Sequence, residues 1–300
     1  MADRKQITTI GDSLTVLAPA KINLSLLIAG KRPDGFHEIE TIMAKIDWYD
    51  EILIEPGRQD GIELICKGPH WAPSGSDNLV WQAAEMLLGD CRPMPDVRIT
   101  LSKNIPAGTG LGSASSDAAA TLIGLNERFR LGLGKEDLSN AAARLGSDVA
   151  FFLGGPLAMC RGKGEKMEKI RETFDFTALL ALPNISVSTN KVYANYKHNR
   201  NLYETLAGRI NAYLGENRID LVTEMCANML EESCFDLDRS LAELKEKCGS
   251  LNIGSFCLSG SGSAMFCIIE SGDRDKAGAF KRTFEEKVGC NCIVVTNNRW

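Results

Sequence analysis

The most informative stretch of this 300-residue chain is Asn104-Ile-Pro-Ala-Gly-Thr-Gly-Leu-Gly-Ser-Ala-Ser-Ser-Asp-Ala-Ala-Ala120. Its glycines Gly108, Gly110 and Gly112 lack Cβ atoms, so the backbone can turn tightly and approach a ligand closely. An alanine-rich helical pattern follows directly, and the start of a helix offers unpaired N–H groups and a positive dipole end. A strand-like segment at 99–101 precedes the loop, which completes the context that phosphate-binding loops require. The stretch therefore predicts a phosphate site, with a flexible connection as the alternative.

The loop differs from the Walker A motif, because G-x-x-x-x-G-K-[ST] occurs nowhere in the chain. Lys103 stands immediately before the loop, and Ser113, Ser115 and Ser116 add hydroxyl groups at the beginning of the helix. If the chain handles a nucleotide, it therefore uses another type of phosphate loop.

The composition argues against several classes of function. The net charge is -5 and no block of five basic residues occurs, which argues against a nucleic-acid or anionic-membrane surface. The N-terminus lacks the apolar core of a signal peptide and no apolar stretch reaches membrane-spanning length, so we expect a cytoplasmic protein with a small-molecule partner. Ten cysteines without a C-x-x-C pair predict reduced core residues rather than a metal site, with Cys290 and Cys292 as the one close pair.

Hydrophobic periodicity predicts a mixed α+β chain. Alternation predicts strands at 14–29, 41–48, 51–55, 62–66, 97–102, 178–182, 185–188, 255–258, 264–270 and 292–296. A period of 3.6 predicts helices at 116–129, 135–145, 220–231, 238–248 and 273–288, and one more that begins with Asp77 as its N-cap. Such an order suits helices that cover one side of a mainly antiparallel sheet. The charged, glycine-containing segment at 161–173 is the predicted junction between two domains.

The first long strand carries a polar face. Lys21, Asn23 and Ser25 alternate with apolar residues, and Leu17 and Leu27 frame them on the same face. The framing favours the wall of a cleft over the solvated face of a half-buried strand.

Asp148 follows a glycine that ends a helix, so it is a candidate N-cap of a new short helix. It is also a candidate general base, because phosphoryl transfer to an alcohol needs a carboxylate for the hydroxyl proton and a cation for the charge on the phosphoryl oxygens. Together with Lys21, Asp148 would supply both groups.

Two further segments carry weaker signals. Phe36 and His37 follow a tight turn and offer a stacking face beside a directional hydrogen-bonding group, a pair that suits a flat heterocycle. A lone histidine is otherwise a surface residue more often than a ligand. The glycine and serine cluster at 259–263 fits either a hairpin loop or a further backbone site near the substrate.

With these segments together, the chain resembles the GHMP kinases. Their three motifs occur here in order, as Ala18-Pro-Ala-Lys-Ile-Asn-Leu24, Ile105-Pro-Ala-Gly-Thr-Gly-Leu-Gly-Ser-Ala-Ser-Ser116 and Leu258-Ser-Gly-Ser-Gly-Ser-Ala264. Segments 31–42 and 145–155 resemble those of family members whose acceptor is cytidine diphosphate methylerythritol, in the non-mevalonate route to isoprenoids. The resemblance implies an α+β GHMP kinase fold of two domains, 1–162 and 163–300, with the active site in the cleft between them.

The resemblance also implies a reaction and its residues. ATP, expected with Mg²⁺, would phosphorylate the 2-hydroxyl group of the methylerythritol unit, with Asp148 as base and Lys21 helping to polarise or deprotonate that hydroxyl. The substrate-binding residues would be Asn23, Phe36, His37 and Tyr193, with the pyrimidine between Phe36 and Tyr193. The ATP-binding residues would be Asn78, Lys103, Pro106, Ala107, Gly108, Thr109, Gly110, Leu111, Gly112, Ser113, Ala114, Ser115 and Ser116.

The chain departs from the family pattern at two places. Ser113 and Ala114 stand where these kinases usually have glycines, and Ala150 stands where a proline is common. The added Cβ atoms predict a local change in loop mobility or ATP affinity without loss of the reaction. Another GHMP small-molecule kinase and a non-catalytic nucleotide-binding protein are the alternatives, and we expect a monomer or a weak dimer.

Overall fold

The computed structural model describes residues 5–170, 175–216, 222–269 and 274–300. The strands are β1 (Ile7–Ile10), β2 (Ser13–Lys31), β3 (His37–Pro56), β4 (Ile62–Lys67), β5 (Val97–Ser102), β6 (Leu157–Gly162), β7 (Lys166–Lys169), β8 (Thr177–Leu182), β9 (Ala227–Asn228), β10 (Cys257–Leu258), β11 (Met265–Ile269) and β12 (Asn291–Thr296). The helices are α1 (Leu79–Leu88), α2 (Ser113–Arg128), α3 (Lys135–Leu145), α4 (Val149–Leu153), α5 (Thr189–Asn195), α6 (Arg200–Gly215), α7 (Val222–Met225), α8 (Glu231–Leu237), α9 (Arg239–Gly249) and α10 (Arg274–Val288).

The first sheet is built on the long antiparallel pair β2 and β3. Its main path runs β1-β2-β3-β5-β4, while β6 pairs with the first half of β3 and β7 pairs with β6. Alternate residues of β2 and β3, such as Val16 and Ile54, are buried against Leu125 of α2 and Val80 of α1. Burial of this face holds α2, and with it the preceding glycine-rich loop, against the sheet.

The second sheet has the antiparallel order β10-β11-β8-β12, and α10 packs on β8 and β12. Its core is continuous with that of the first sheet. A single cluster of buried side chains joins Ile22 of β2 and Ile42 of β3 to Leu179 of β8 and Phe266 of β11. The two sheets are therefore packed together rather than connected by a linker alone.

The α+β class predicted from the sequence is correct, as are most of the strands. The predicted N-cap at Asp77 is wrong: Asp77 closes a 3₁₀ turn, and the side chain of Asn78 accepts the capping hydrogen bond from Val80 N at 2.9 Å. The predicted strand at 185–188 is irregular in the structure. Helix α6 was not predicted; it buries only Ala207 and Ile210, so its apolar periodicity is weak.

Several predictions fall partly on undescribed residues. The predicted junction at 161–173 includes the undescribed residues 171–173, and the predicted helix at 220–231 includes 220 and 221. The ends of the predicted elements at 264–270 and 273–288 fall within 270–273. From 222 onward the predicted single helix is instead two short helices, α7 and α8, separated by β9, which pairs with β2. The division of the chain at 162 and 163 stays a prediction.

No helix in the described ranges is both long enough and apolar enough to cross a membrane. The ten cysteines all lie in those ranges, carry thiols and form no disulfide; six of them are buried.

Candidate active site

The glycine-rich loop connects β5 to α2, and helix α2 begins at Ser113. Gly108, Gly110 and Gly112 have φ angles of 71°, 78° and 69°, a region that side chains with a Cβ rarely adopt. Space is restricted as well: a Cβ on Gly110 would lie 2.0 Å from the carbonyl oxygen of Ser259. Ser113 and Ala114 belong to the helix, where a Cβ is accommodated, so the departure from a run of glycines leaves the loop geometry intact.

Lys21 lies beside this loop and is almost fully buried, at 3% exposure. Its ammonium donates hydrogen bonds to Asn23 Oδ1 at 2.5 Å and to the carbonyl oxygen of Gly110 at 2.7 Å. Burial lowers the pKa of Lys21, and the negative charge of Asp148 partly opposes that effect. The lysine is thus held by the strand on one side and the phosphate loop on the other.

Asp148 occupies the N-cap position of α4, but its side chain makes no capping hydrogen bond. Its half-buried carboxylate accepts a long hydrogen bond from Ser147 Oγ at 3.5 Å. The Asp148 side chain therefore does not cap α4, which was the alternative role predicted for it. The carboxylate is open to a ligand in the cleft beside Lys21.

A cavity of about 940 Å³ contains most of the predicted site residues. It is lined by Lys21, Asn23, Phe36, His37, Asp148, Tyr193 and residues 106–115. The structure thereby brings together side chains from β2, the turn before β3, the loop before α2, the beginning of α4, and α5. Three predicted residues, Asn78, Lys103 and Ser116, do not line this cavity.

Four rings, those of Phe36, His37, Tyr193 and Tyr196, line part of the cavity. The ring of His37 lies 5.3 Å from that of Tyr193 and 5.7 Å from that of Tyr196. Burial and the positive charges of Lys31 and His198 lower the pKa of His37, which favours a neutral imidazole. Phe36 is 58% exposed, and the ammonium of Lys163 lies 4.6 Å from its ring centroid. A planar polar group would find stacking faces and a hydrogen-bonding edge here.

Lys103 is committed to a buried ion cluster. Its ammonium contacts Asp50 at 2.6 Å and Asp117 at 2.5 Å, and all three side chains are at most 3% exposed. Asp50 Oδ1 also accepts hydrogen bonds from the backbone N–H groups of Asn104 and Ile105. The Lys103 ammonium is therefore paired with carboxylates rather than directed at ATP, contrary to the predicted direct contact. The cluster joins the beginning of the phosphate loop to helix α2.

The other two residues also lie outside the cavity. The side chain of Asn78 caps α1 and donates to the carbonyl oxygen of Pro73 at 2.8 Å. Ser116 is buried in the first turn of α2, and its Oγ has no hydrogen-bond partner among the described residues.

Sequence alternation misassigned part of the cleft wall. A β-bulge between Asn23 and Ser25 shifts the alternation by one residue, so Leu26 lines the cavity while Ser25 Oγ accepts the backbone N–H of Ile42. Nothing in the sequence indicated Thr41, Lys163, Thr189 and Tyr196, which line the cavity from separate segments. Ser261 also lines it and belongs to the cluster at 259–263, for which a site near the substrate was one of the two predicted alternatives; its hydroxyl lies 2.7 Å from Thr189 Oγ1.

The segment at 259–263 is both a turn and part of the site. It connects β10 to β11, and Ser259 Oγ donates to the carbonyl oxygen of Gly110 at 3.0 Å. The backbone N–H of Asn23 in turn donates to Ser259 Oγ at 3.3 Å. The two glycine clusters are thus in direct contact at the cavity.

Comparison with known proteins agrees with this arrangement. The GHMP kinases N terminal domain matches residues 78–156, and the GHMP kinases C terminal domain matches residues 211–287. A protein of Geobacillus sp. (strain WCH70) named 4-diphosphocytidyl-2-C-methyl-D-erythritol kinase is 37% identical over 261 residues, which cover 87% of this chain and 90% of the relative. The protein of that name from Bacillus cytotoxicus is also 37% identical, with the same coverage.

Solved structures show the same fold. A crystal structure of 4-(cytidine 5'-diphospho)-2C-methyl-D-erythritol kinase superposes with a TM-score of 0.75 at 29% identity, covering 95% of this chain and 100% of the other. The homoserine kinase of Cytophaga hutchinsonii has a TM-score of 0.73 at 19% identity, covering 99% and 98%. The extent of the sequence identity, together with both domain matches, shows that this chain belongs to the GHMP kinase family.

Proposed function

We propose that this chain transfers the γ-phosphoryl group of ATP to the 2-hydroxyl group of 4-diphosphocytidyl-2-C-methyl-D-erythritol. The observation that carries the proposal is one cavity lined both by the phosphate loop and Lys21 and by the rings of His37, Tyr193 and Phe36. A small acceptor such as homoserine needs no such aromatic lining. Relatives with this name at 37% identity support the same acceptor.

The chemistry follows from the charges in the cavity. Asp148 takes the proton of the attacking hydroxyl. Its carboxylate is available for this role because it makes no capping hydrogen bond. Lys21 polarises that hydroxyl and offsets negative charge on the transferring phosphoryl group, while the N–H groups of the loop and the first turn of α2 bind the phosphates. A positioned base contributes about 10²- to 10⁴-fold, and positioning and electrostatics supply the rest of the rate enhancement.

The aromatic side chains select the acceptor. Tyr193 and Phe36 stack on the pyrimidine ring, and the neutral imidazole of His37 binds its polar edge, since a neutral ring offers both a donor and an acceptor. Asn23 also lines the cavity, is fixed by Lys21 and by a hydrogen bond to Thr41 Oγ1 at 2.8 Å, and orients the methylerythritol unit.

Mg²⁺ fits this site as a companion of ATP. Among the described residues no group of three or more His, Cys, Asp or Glu side chains could hold a metal ion. Mg²⁺ needs no such cage, because it keeps several waters and binds mainly through substrate phosphates. In the first turn of α2 the hydroxyl groups of Ser113 and Ser115 line the cavity and are the protein oxygens that would be available to it. When bound, the ion neutralises charge on the phosphates.

The proposal is tested with purified protein, ATP, Mg²⁺ and the diphosphocytidyl acceptor in a coupled assay for ADP. We expect acceptor-dependent ADP release and little release with homoserine or mevalonate. Turnover of either small acceptor without turnover of the diphosphocytidyl substrate would refute the proposal. The cytoplasmic location and the monomeric or weakly dimeric state stay predictions, the latter tested by light scattering.

A further inference from the structure

Lys45 is a buried lysine that the proposed reaction does not use. It is 1% exposed and lies on β3 directly opposite Lys21 of β2. No carboxylate in the described ranges offsets its charge, so burial alone lowers the pKa of Lys45 to about 8. Lysine is rarely buried without a charged partner, because its ammonium loses hydration. A role for this ammonium must therefore come from the groups that it contacts.

Those groups lie at the end of helix α4. The Lys45 ammonium donates hydrogen bonds to the carbonyl oxygens of Phe152 at 3.0 Å and Gly154 at 2.9 Å. These carbonyls belong to the last turn of α4 and to the residue that follows it, where a helix leaves its acceptors unpaired and where a cation is favoured. Asp148 stands at the other end of the same five-residue helix.

Helix α4 also contacts the phosphate-loop side of the site. The position that a Cβ on Gly112 would take lies 2.9 Å from the Phe152 ring and 3.0 Å from Lys21 Cγ, so these groups surround Gly112. A helix of five residues has almost no stability of its own, and tertiary contacts must fix its place. A shift of α4 would therefore move Asp148 and Phe152 together relative to Lys21.

We propose that Lys45 is a positioning residue for phosphoryl transfer: it binds the C-terminal end of α4 and thereby fixes Asp148 at the opposite end. The inference rests on the proposed role of Asp148 as base. A base acts only within hydrogen-bond reach of its proton, and a displacement of about 1 Å costs on the order of 10²-fold in rate. Substrate binding depends on other elements, so the effect belongs in kcat.

Lys45→Met separates this role from ordinary structural support. Methionine has a similar length and fits an apolar interior, but it donates no hydrogen bond. The variant loses two hydrogen bonds but also avoids the desolvation cost of a buried ammonium. Since these two effects oppose each other, we expect a small change in melting temperature. Lys45→Arg keeps donors for the two carbonyl oxygens. Ile54→Val is the control for a change in the core of the same strand: it shortens a buried side chain that packs against α2 near Gly124.

The kinetic test measures kcat and both KM values for these variants with ATP and the diphosphocytidyl acceptor. Lys45→Met should lower kcat on the order of 10-fold or more with KM changes under about 3-fold, while Lys45→Arg recovers much of kcat and Ile54→Val keeps it. In an Asp148→Asn background, Lys45→Met should lower kcat less than about 2-fold, because the two changes act on one step. The proposal would be overturned if Lys45→Met lowered kcat by the same factor in the Asp148→Asn background as in the wild type. It would also be overturned if the KM values rose by as large a factor as kcat fell.

Hydrogen exchange gives a readout that needs no substrate. In Lys45→Met the amides of residues 149–153 should exchange on the order of 10-fold faster, while those of α3 keep the wild-type rate. Unchanged exchange at 149–153 overturns the proposal. If the wild-type protein shows no turnover of the diphosphocytidyl acceptor, the proposed function fails, and exchange alone then decides whether Lys45 holds α4.

Discussion

Asp148 and Asp34 are two carboxylates of one cavity with different surroundings. Asp148 makes no capping bond, whereas Asp34 accepts the N–H of Phe36 at 3.2 Å and pairs with Arg32 and Lys163. Asp148→Asn keeps the shape of the side chain but cannot take a proton. We expect kcat to fall about 10²- to 10⁴-fold with a small change in the KM for ATP, measured by steady-state kinetics.

Asp34→Asn is the matched control for that substitution. Its amide oxygen can still accept from Phe36 while the ion pairs are lost, so the acceptor KM should rise and kcat should change little. If Asp148→Asn affected binding alone, Asp148 would be a structural residue.

Lys45 makes stability depend on pH in a defined direction. Its pKa is about 8 in the folded chain and takes the ordinary value of 10.5 in the unfolded chain. Between these values the unfolded state binds more protons, so the free energy of unfolding should rise with pH, by at most about 3 kcal/mol. Below about pH 8 both states are charged and the cost of burial is fully present.

Urea unfolding of wild type and Lys45→Met at about pH 7.5 and about pH 10 isolates this contribution, because the other titrating groups are common to both proteins. The wild-type protein should gain stability relative to the variant at the higher pH. A difference between the two proteins that stays constant with pH would show that Lys45 does not titrate in this range.

At the scale of elements, the phosphate loop depends on the absence of a side chain at Gly112. Gly112 and Gly132 share a φ of 69°, so alanine costs about 1–2 kcal/mol of backbone strain at either position. Only at Gly112 would the new Cβ also collide, at 2.9 Å from Phe152 and 3.0 Å from Lys21. Gly112→Ala should therefore lower kcat/KM on the order of 10²-fold, while Gly132→Ala, with open space around it, keeps full activity.

Both glycine variants are measured for kcat/KM and for thermal unfolding. Both variants should lose the stability that the backbone strain costs, and Gly112→Ala should lose more because of the collision. Only Gly112→Ala should lose activity. Loss of activity in both variants would mean that strain, rather than contact with Lys21 and Phe152, sets the effect.

The buried cluster of Lys103, Asp50 and Asp117 fixes both ends of that loop. Burial raises the pKa of Asp117, and the charge of Lys103 opposes this shift. Lys103→Met leaves two carboxylates buried together and should lower the free energy of unfolding by about 3–5 kcal/mol. Arg98→Met removes a partly exposed ion pair with Glu63 and should lower the free energy of unfolding much less, measured by urea unfolding.

The same variant separates two roles of Lys103. A lysine that contacts ATP directly would raise the KM for ATP on removal without loss of stability. If Lys103 instead holds the loop, Lys103→Met should lower the free energy of unfolding, and the KM for ATP should rise as a consequence.

Strands and the phosphate loop could be predicted from sequence because their signals are local, namely period-two alternation and glycines at tight turns. What failed depended on tertiary context. The bulge after Asn23 turns Ser25 away from the cavity and Leu26 toward it, and nothing in the alternation itself marks a bulge. Lys103 next to a phosphate loop suggested a ligand contact, because the carboxylate of Asp50 lies more than fifty residues away in sequence. The roles of Lys21, Asp148 and His37 stay predictions.

At the scale of the whole molecule, the two sheets share one core and the C-terminal segment returns to the first sheet. Thr296 N donates to Asp47 Oδ1 at 2.6 Å, and Asn298 N donates to the carbonyl oxygen of Lys45 at 2.9 Å. The ring of Trp300 stacks on Tyr49 at 5.6 Å. Residues on both sides of the predicted boundary at 162 and 163 therefore depend on one another for burial.

This shared core predicts a single cooperative unfolding transition, although the chain has two sheets. Calorimetric and van't Hoff enthalpies should agree in differential scanning calorimetry, because unfolding of either half would expose the buried cluster that joins the two sheets. ATP with Mg²⁺ should raise the melting temperature of the whole transition, with a gain of about 2.7 kcal/mol at a ligand concentration of 100 times Kd. Two resolved transitions, with ATP shifting only one, would show instead that the predicted domains 1–162 and 163–300 unfold independently.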